Sequence, residues 1–211
     1  MKLRKGLITT LFIATIMLFS GYIFVTTAFF SDSDSEENIF ITSNVDIDIE
    51  EEFEKTDKEN EFIKHIKIKN ESSTEALVRV NITKSFTDND GNIYGIDENM
   101  VELKFADNFQ ENWLDGGDGY YYYKKILGSN ELTEPLLEKV ILNIPEDMKQ
   151  ELEDKEFQVN VQSEAVQVNK YKIEDGNYEY SFTKVWRQIS EEVINMLKEL
   201  IDTKSNEGGG V

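Results

Sequence analysis

Ala76-Leu77-Val78-Arg79-Val80-Asn81-Ile82 places Ala, Val, Val and Ile at every second position, with Leu, Arg and Asn between them. Successive side chains of a β-strand face opposite sides of a sheet, so this spacing predicts a strand with one apolar face. The same period recurs in both directions along the chain. Upstream, Ile39 and Ile41 alternate, Val45, Ile47 and Ile49 alternate with Asp46, Asp48 and Glu50, and Ile66 and Ile68 alternate with lysines. Downstream, Val101, Leu103 and Phe105, then Val140, Leu142 and Ile144, then Phe157, Val159 and Val161 repeat the pattern, and Tyr120 to Tyr123 is aromatic on both faces. About seven or eight strands are expected. Asp88-Asn89-Asp90-Gly91-Asn92 and Asp115-Gly116-Gly117-Asp118-Gly119 supply turns, because Gly and Asn accept positive φ. Short half-buried strands need a second sheet to cover them, so the expected fold class is all-β, an antiparallel sandwich.

Two stretches depart from this period. Pro145 to Lys155 starts with Pro and acids, as a short connecting helix does. From Phe182 to Ile201, the residues Val185, Trp186, Ile189, Val193, Met196, Leu197, Leu200 and Ile201 fall three and four apart, which predicts one amphipathic helix over 182–203. Residues 204–211 then read as a flexible tail. The expected role of the helix is packing on the sandwich, with docking to a partner or anchoring at a surface as the alternative.

Lys2, Arg4 and Lys5 precede an uncharged run from Gly6 to Ala28, long enough to act as a signal sequence or as a membrane anchor. Thr26, Thr27 and Ala28 are small, and the chain then turns at once into Ser31-Asp32-Ser33-Asp34-Ser35-Glu36-Glu37. Cleavage between Ala28 and Phe29 is therefore expected. The three cations stay in the cytoplasm and the rest of the chain lies outside the cell, touching a membrane only through the uncleaved signal. The expected organisation is 1–28 signal peptide, 29–37 acidic segment, 38–181 β-sandwich domain, then helix and tail. Beyond Ala28 there are 19 Lys and Arg against 42 Asp and Glu, a net charge of -23. Such a charge favours solubility and argues against binding nucleic acid through a basic face. With no cysteine, neither a disulfide framework nor a thiolate metal site can form.

No motif for catalysis emerges. His65 is the single histidine, and a zinc hydrolase needs a paired-ligand helix. Asp88, Asp90 and Asn92 have the spacing of the first half of a calcium loop but lack the closing glutamate. There is no glycine-rich phosphate loop. Neither enzymatic activity nor a cofactor is expected. The tyrosine run reads as sheet packing, two rings to the core and two outward, with an exposed carbohydrate-binding platform as the sharper alternative.

The Ala28-Phe29-Phe30-Ser31-Asp32 junction and the following Asn44-Val45-Asp46-Ile47-Asp48-Ile49 resemble the N-terminus of the TasA/camelysin family of exported bacterial proteins, released by a dedicated SipW-type signal peptidase. Trp113, the Asp115-Gly116-Gly117-Asp118-Gly119 turn, Tyr120-Tyr121-Tyr122-Tyr123 and Thr133-Glu134-Pro135-Leu136-Leu137 resemble the family's central motifs, and Ser163-Glu164-Ala165-Val166-Gln167 resembles its last strand. The likeness is nearest to clostridial biofilm matrix proteins of the BsaA type and lapses after Val168. It implies a jelly-roll-like sandwich that forms extracellular biofilm fibres, with itself and related matrix subunits as partners. It also implies donor-strand addition, in which Phe29 and Phe30 plug an apolar groove and Ile39, Phe40 and Ile41 extend a strand of the next subunit. Because camelysin is described as a cell-surface metalloprotease, a protease is the alternative that the resemblance carries.

Overall fold

The computed structural model describes residues 45–207, apart from 59, 95 and 96. In chain order the strands are β1 (Ile47–Lys55), β2 (Glu61–Asn70), β3 (Ala76–Thr87), β4 (Ile93–Tyr94), β5 (Val101–Phe105), β6 (Trp113–Asp115), β7 (Tyr120–Tyr123), β8 (Leu137–Leu142), β9 (Glu156–Gln167), β10 (Lys170–Lys172) and β11 (Tyr178–Tyr180). Helical segments are short except the last: α1 (Phe109–Asn112), α2 (Lys149–Leu152), α3 (Ser181–Val185) and α4 (Glu191–Glu207). The protein is predominantly β, and its sheets are antiparallel.

β3 organises the second of the two larger sheets. All twelve of its residues pair with β9, from Ala76 opposite Gln167 to Thr87 opposite Glu156. Since β9 occupies one whole edge, β7 (at Arg79–Asn81) and β4 (at Phe86–Thr87) share the other. β6 lies beyond β7. The first sheet has the order β1-β2-β8-β5. Ile66 and Ile68 of β2, Val101 of β5 and Val140 of β8 face Ala76, Val78 and Val80 of β3, Trp113 of β6 and Tyr123 of β7 in one buried cluster between the sheets. The outer side of the first sheet meets water, and its cross-strand neighbours are complementary: Asp48 lies opposite Lys69, Glu50 opposite Lys67, and Glu52 opposite His65.

The second sheet has no solvent face at its centre. Leu77 of β3, Tyr122 of β7 and Val166 of β9 point away from the first sheet into a second cluster, made with Tyr180, Phe182, Trp186, Val193, Leu197 and Ile201. β10 and β11 form a hairpin that carries the chain from β9 into these helices. Lys170 and Tyr180 both bond Asp202, at 2.7 and 2.9 Å, and tie the hairpin to α4.

Here the structure corrects the sequence reading. In place of one helix over 182–203 there are two, because the chain leaves helical geometry at Trp186 and takes φ 60° at Gln188. The break lets Trp186 turn into the sheet while α4 restarts at its own cap. Ser190 Oγ accepts from Val193 N at 3.4 Å, and Glu191 and Glu192 occupy the first turn, where the helix dipole favours acids. Lys204 to Glu207 belong to α4 and not to a loose tail. The Pro145 to Lys155 connector contains only the single turn α2.

Leu197 is fully buried between α4 and the sheet. Leu197→Ala is expected to cost about 2–5 kcal/mol through lost contacts and the cavity left behind. Urea denaturation followed by tryptophan fluorescence checks this, since Trp186 reports on the same layer.

Candidate functional site

The motif residues converge on β6, β7 and the turn between them. Gly116 N donates to Tyr120 O at 2.9 Å, Gly117 N to the Asp115 carboxylate at 2.9 Å, and Tyr120 N to the Asp118 carboxylate at 3.0 Å. Both aspartates thus hold the turn. Gly119 sits at φ +89°, where only glycine is unstrained, and a Cβ on Gly116 would come within 2.5 Å of the Tyr122 ring.

Strand alternation then sends Tyr121 and Tyr123 inward and Tyr120 and Tyr122 outward. Tyr121 meets Phe105 at 5.0 Å, and Tyr123 meets Trp113 at 5.0 Å. The outward pair is roofed by the C-terminal layer, with Tyr122 edge-on to Trp186 at 5.7 Å. An exposed tyrosine platform for sugar is therefore not built: Tyr122 and Tyr123 are buried and Tyr120 and Tyr121 half-buried.

The register also lines up a charged row under that roof. Glu164 lies directly opposite Arg79, and Arg79 directly opposite Tyr122. Arg79, only 7% exposed, donates Nε (3.1 Å) and Nη2 (2.8 Å) to one Glu164 oxygen and Nη1 to Tyr122 Oη at 3.2 Å. Tyr120 Oη donates to the other Glu164 oxygen at 2.8 Å, and Tyr122 Oη donates to Asp118 at 2.6 Å. The guanidinium lies 3.8 Å from the Tyr120 ring centroid and 5.0 Å from that of Trp186. This buried cation thus has a carboxylate, a phenol and two aromatic faces as partners. Burial and the bond to Asp118 push the Tyr122 phenol well above its ordinary range; the bond to Glu164 and burial raise Tyr120.

A second cluster joins the remaining motif residues. Trp113 Nε1 donates to Glu134 O at 3.2 Å, Tyr123 Oη donates to the Glu134 carboxylate, and Lys125 pairs with that carboxylate at 2.5 Å. Burial works against ionised Glu134, but the bonds from Lys125 and Tyr123 outweigh it and lower its pKa. Neighbouring Thr133 bonds β2 at Ile68, through its backbone N–H (2.9 Å) and as acceptor at Oγ1 (3.0 Å). Trp113, Tyr123 and the Thr133-Glu134-Pro135 segment thus form one bracket across the edge of the core.

Sequence reasoning missed Asn70. Fully buried, it donates Nδ2 to the carbonyls of Thr74 (2.7 Å), Leu127 (3.1 Å) and Gly128 (3.1 Å) and accepts from Ser72 Oγ at 2.6 Å. The signal for it was an Asn at an inward-facing position of a strand, followed by Ser72-Ser73-Thr74.

Both oxygens of Asp88 serve its own turn, accepting from the N–H groups of Asp90 and Asn92, Asn92 Nδ2 and Tyr94 Oη, so it is not offered to calcium. His65 stands on the outer face of β2 with Nδ1 2.9 Å from Glu52. Among the described residues no group of three or more His, Asp or Glu converges as a metal set. No helix there is long and apolar enough to cross a membrane. The cleavage pair Ala28 and Phe29 and the assembly residues Phe30, Ile39, Phe40 and Ile41 lie outside the described residues.

The cluster chemistry yields two expectations. Arg79→Ala leaves Glu164 and Tyr122 without their cation and opens space beside Trp186; a loss of about 2–4 kcal/mol is expected by urea denaturation, reduced from the fully buried case because Glu164 is partly solvated. The hydrogen bonds of Asn92 to Asp88 hold its carboxyl down to about 2. A depressed folded pKa means that this contribution to stability is full above the ordinary aspartate range and is lost as pH falls through about 2. Carboxyl NMR titration checks it, and an Asp88 midpoint near 3.9 would contradict the turn geometry. Compared with protein-family models, curated proteins and solved structures, the chain matches none.

Proposed function

We propose that this chain is a secreted structural subunit of extracellular biofilm matrix fibres in a Gram-positive bacterium. A SipW-type peptidase cuts it after Ala28, and the freed N-terminal segment adds to a sheet of the next subunit. In this reading the two sheets form a jelly-roll-like sandwich of the TasA/camelysin kind, and the partners are further copies and related matrix subunits.

The observation that carries the reading is the edge of β9. Among the described residues this twelve-residue strand pairs only with β3. Exposed edges are normally blunted by Lys, Pro or a bulge, because unpaired N–H and C=O groups template further strands. Glu156-Phe157-Gln158-Val159-Asn160-Val161-Gln162-Ser163-Glu164-Ala165-Val166-Gln167 contains no Lys or Pro and pairs with β3 without a register shift. β1, one edge strand of the first sheet, instead carries Asp48, Glu50, Glu51, Glu52 and Glu54. Those acids would repel an incoming segment that is itself acidic at Asp32, Asp34, Glu36 and Glu37. Strand addition that is head-to-tail does not close on itself and produces filaments.

The C-terminal stripe gives less support to a surface-anchored binding module, since Val193, Leu197 and Ile201 are buried in the protein's own second cluster. The buried motif residues serve packing and turns in this reading, and among the described residues no convergent ligand set supports a metalloprotease role.

The test combines N-terminal sequencing of the secreted protein with electron microscopy of the same fraction. Phe29 is expected as the first residue, with filaments that disappear when residues 29–37 are deleted. Filaments from the truncated protein would overturn the donor-strand mechanism. Casein cleavage that is abolished by chelator and restored by zinc would overturn the structural role.

A further inference from the structure

The hinge between α3 and α4 is short and strained. The chain leaves helical geometry at Trp186, with ψ 118°, and re-enters it at Glu191. Between them Gln188 lies at φ 60°. The other described residues at positive φ are Asn60, Asn130 and glycines. Those types enter this region cheaply, because glycine has no Cβ and the short Asn side chain can bond the local backbone. Gln188 has neither advantage. Arg187 and Gln188 are exposed, so burial of their own side chains does not hold the turn. What holds it is α4, seated by Val193, Leu197 and Ile201 in the cluster that contains Leu77, Tyr122 and Val166. Polar ties complete the seat: Lys170 and Tyr180 bond Asp202, and Lys204 pairs with Glu75 at 2.6 Å between partly exposed side chains.

None of these contacts requires α4 to belong to the same chain. We propose that α4 exchanges between two copies: the hinge straightens, Gln188 leaves the left-handed region, and each α4 occupies the seat of the other copy. Every contact in the seat is remade with identical partners, so the surface is complementary to α4 of a second copy by construction. The exchanged pair therefore differs from two closed copies in the hinges and in the freedom lost on association. Relief of strain at two hinges favours the pair, and the association cost makes it grow with concentration. Short hinges under strain promote exchange of this kind. Straightened, Trp186 to Ser190 reach about 17 Å, and α4 is about 25 Å long. The two copies thus pack closely, and reciprocal exchange closes on a two-fold axis. The exchange uses neither β9 nor the residues before β1, so it is independent of the fibre reading.

The experiment uses the mature chain beginning at Phe29, in unlabelled and isotope-labelled form, mixed in urea and refolded together over a range of concentrations. Gel filtration with light scattering separates monomer from dimer. Each fraction is treated with a carbodiimide, which joins the Glu75 carboxylate to Lys204 Nζ as an amide and takes up the water released. Mass spectrometry of the linked peptides then reports whether the two residues come from one copy or two. A dimer share that rises with concentration is expected, with mixed-label links in the dimer and single-label links in the monomer. Gln188→Gly relaxes the closed hinge and is expected to lower the dimer share about tenfold. Gln188→Pro fixes φ at about −65°, forbids the closed turn and is expected to raise that share about tenfold. Gln188 is exposed, so neither change disturbs packing. Absence of dimer at every concentration, a dimer without mixed-label Glu75 to Lys204 links, or a dimer share unmoved by Gln188→Gly would overturn the proposal.

Discussion

The double burial of β3 is the constraint on which the other elements depend. Its even-numbered residues Ala76, Val78 and Val80 build the cluster between the sheets, and its odd-numbered Leu77 builds the cluster beneath the C-terminal helices. On a strand covered on both faces an unpartnered polar side chain is costly, because the free energy of stripping water from it is not recovered otherwise. Arg79 is the test of that rule. Its position between Leu77 and Asn81 directs it under Trp186, and the register places a carboxylate on one side of it and a phenol on the other. The motif tyrosines thus answer two demands, filling the inter-sheet core from one face of β7 and enclosing a buried cation from the other.

The same logic explains why the C-terminal region folds back. Without α3 and α4, Leu77, Tyr122 and Val166 would form an exposed apolar strip alongside a partly desolvated arginine. Burying about 25 cal/mol per Å² of such surface gives the helices their reason to dock, well beyond what the propensity of an isolated helix supplies. Covering this face also leaves sheet growth to the strand edges. Under the proposed function that division is useful: a closed outer layer prevents indiscriminate face-to-face association, while an unblunted β9 edge remains for a specific segment.

Much of the architecture was legible in the chain because period-two alternation depends only on which side of a strand faces the core. β3, β5, β7 and β9 fall on the alternating runs, and the Asp115 to Gly119 turn lies where its glycines require. The run was legible as two rings inward and two outward, but not that a further layer covers the outward pair, since alternation does not say what lies beyond a sheet. Asn70 was invisible as a hub because its partners Leu127 and Gly128 are remote in sequence. β10 and β11 were missed because three-residue strands carry too few positions to show a period.

The sequence by itself determined the predominantly β class, the acidic surface, the absence of disulfides and the turn chemistry, all of which follow from residue type and local spacing. Only the tertiary structure decided that Glu164, Arg79 and Tyr122 stand side by side, since register is a relation between strands far apart in the chain. It also decided that the C-terminal apolar stripe breaks into two helices at Trp186. A continuous helix satisfies the local periodicity equally well; the break follows from the need to set an indole over Arg79 and Tyr122, a need that arises only once the sheet beneath it has formed.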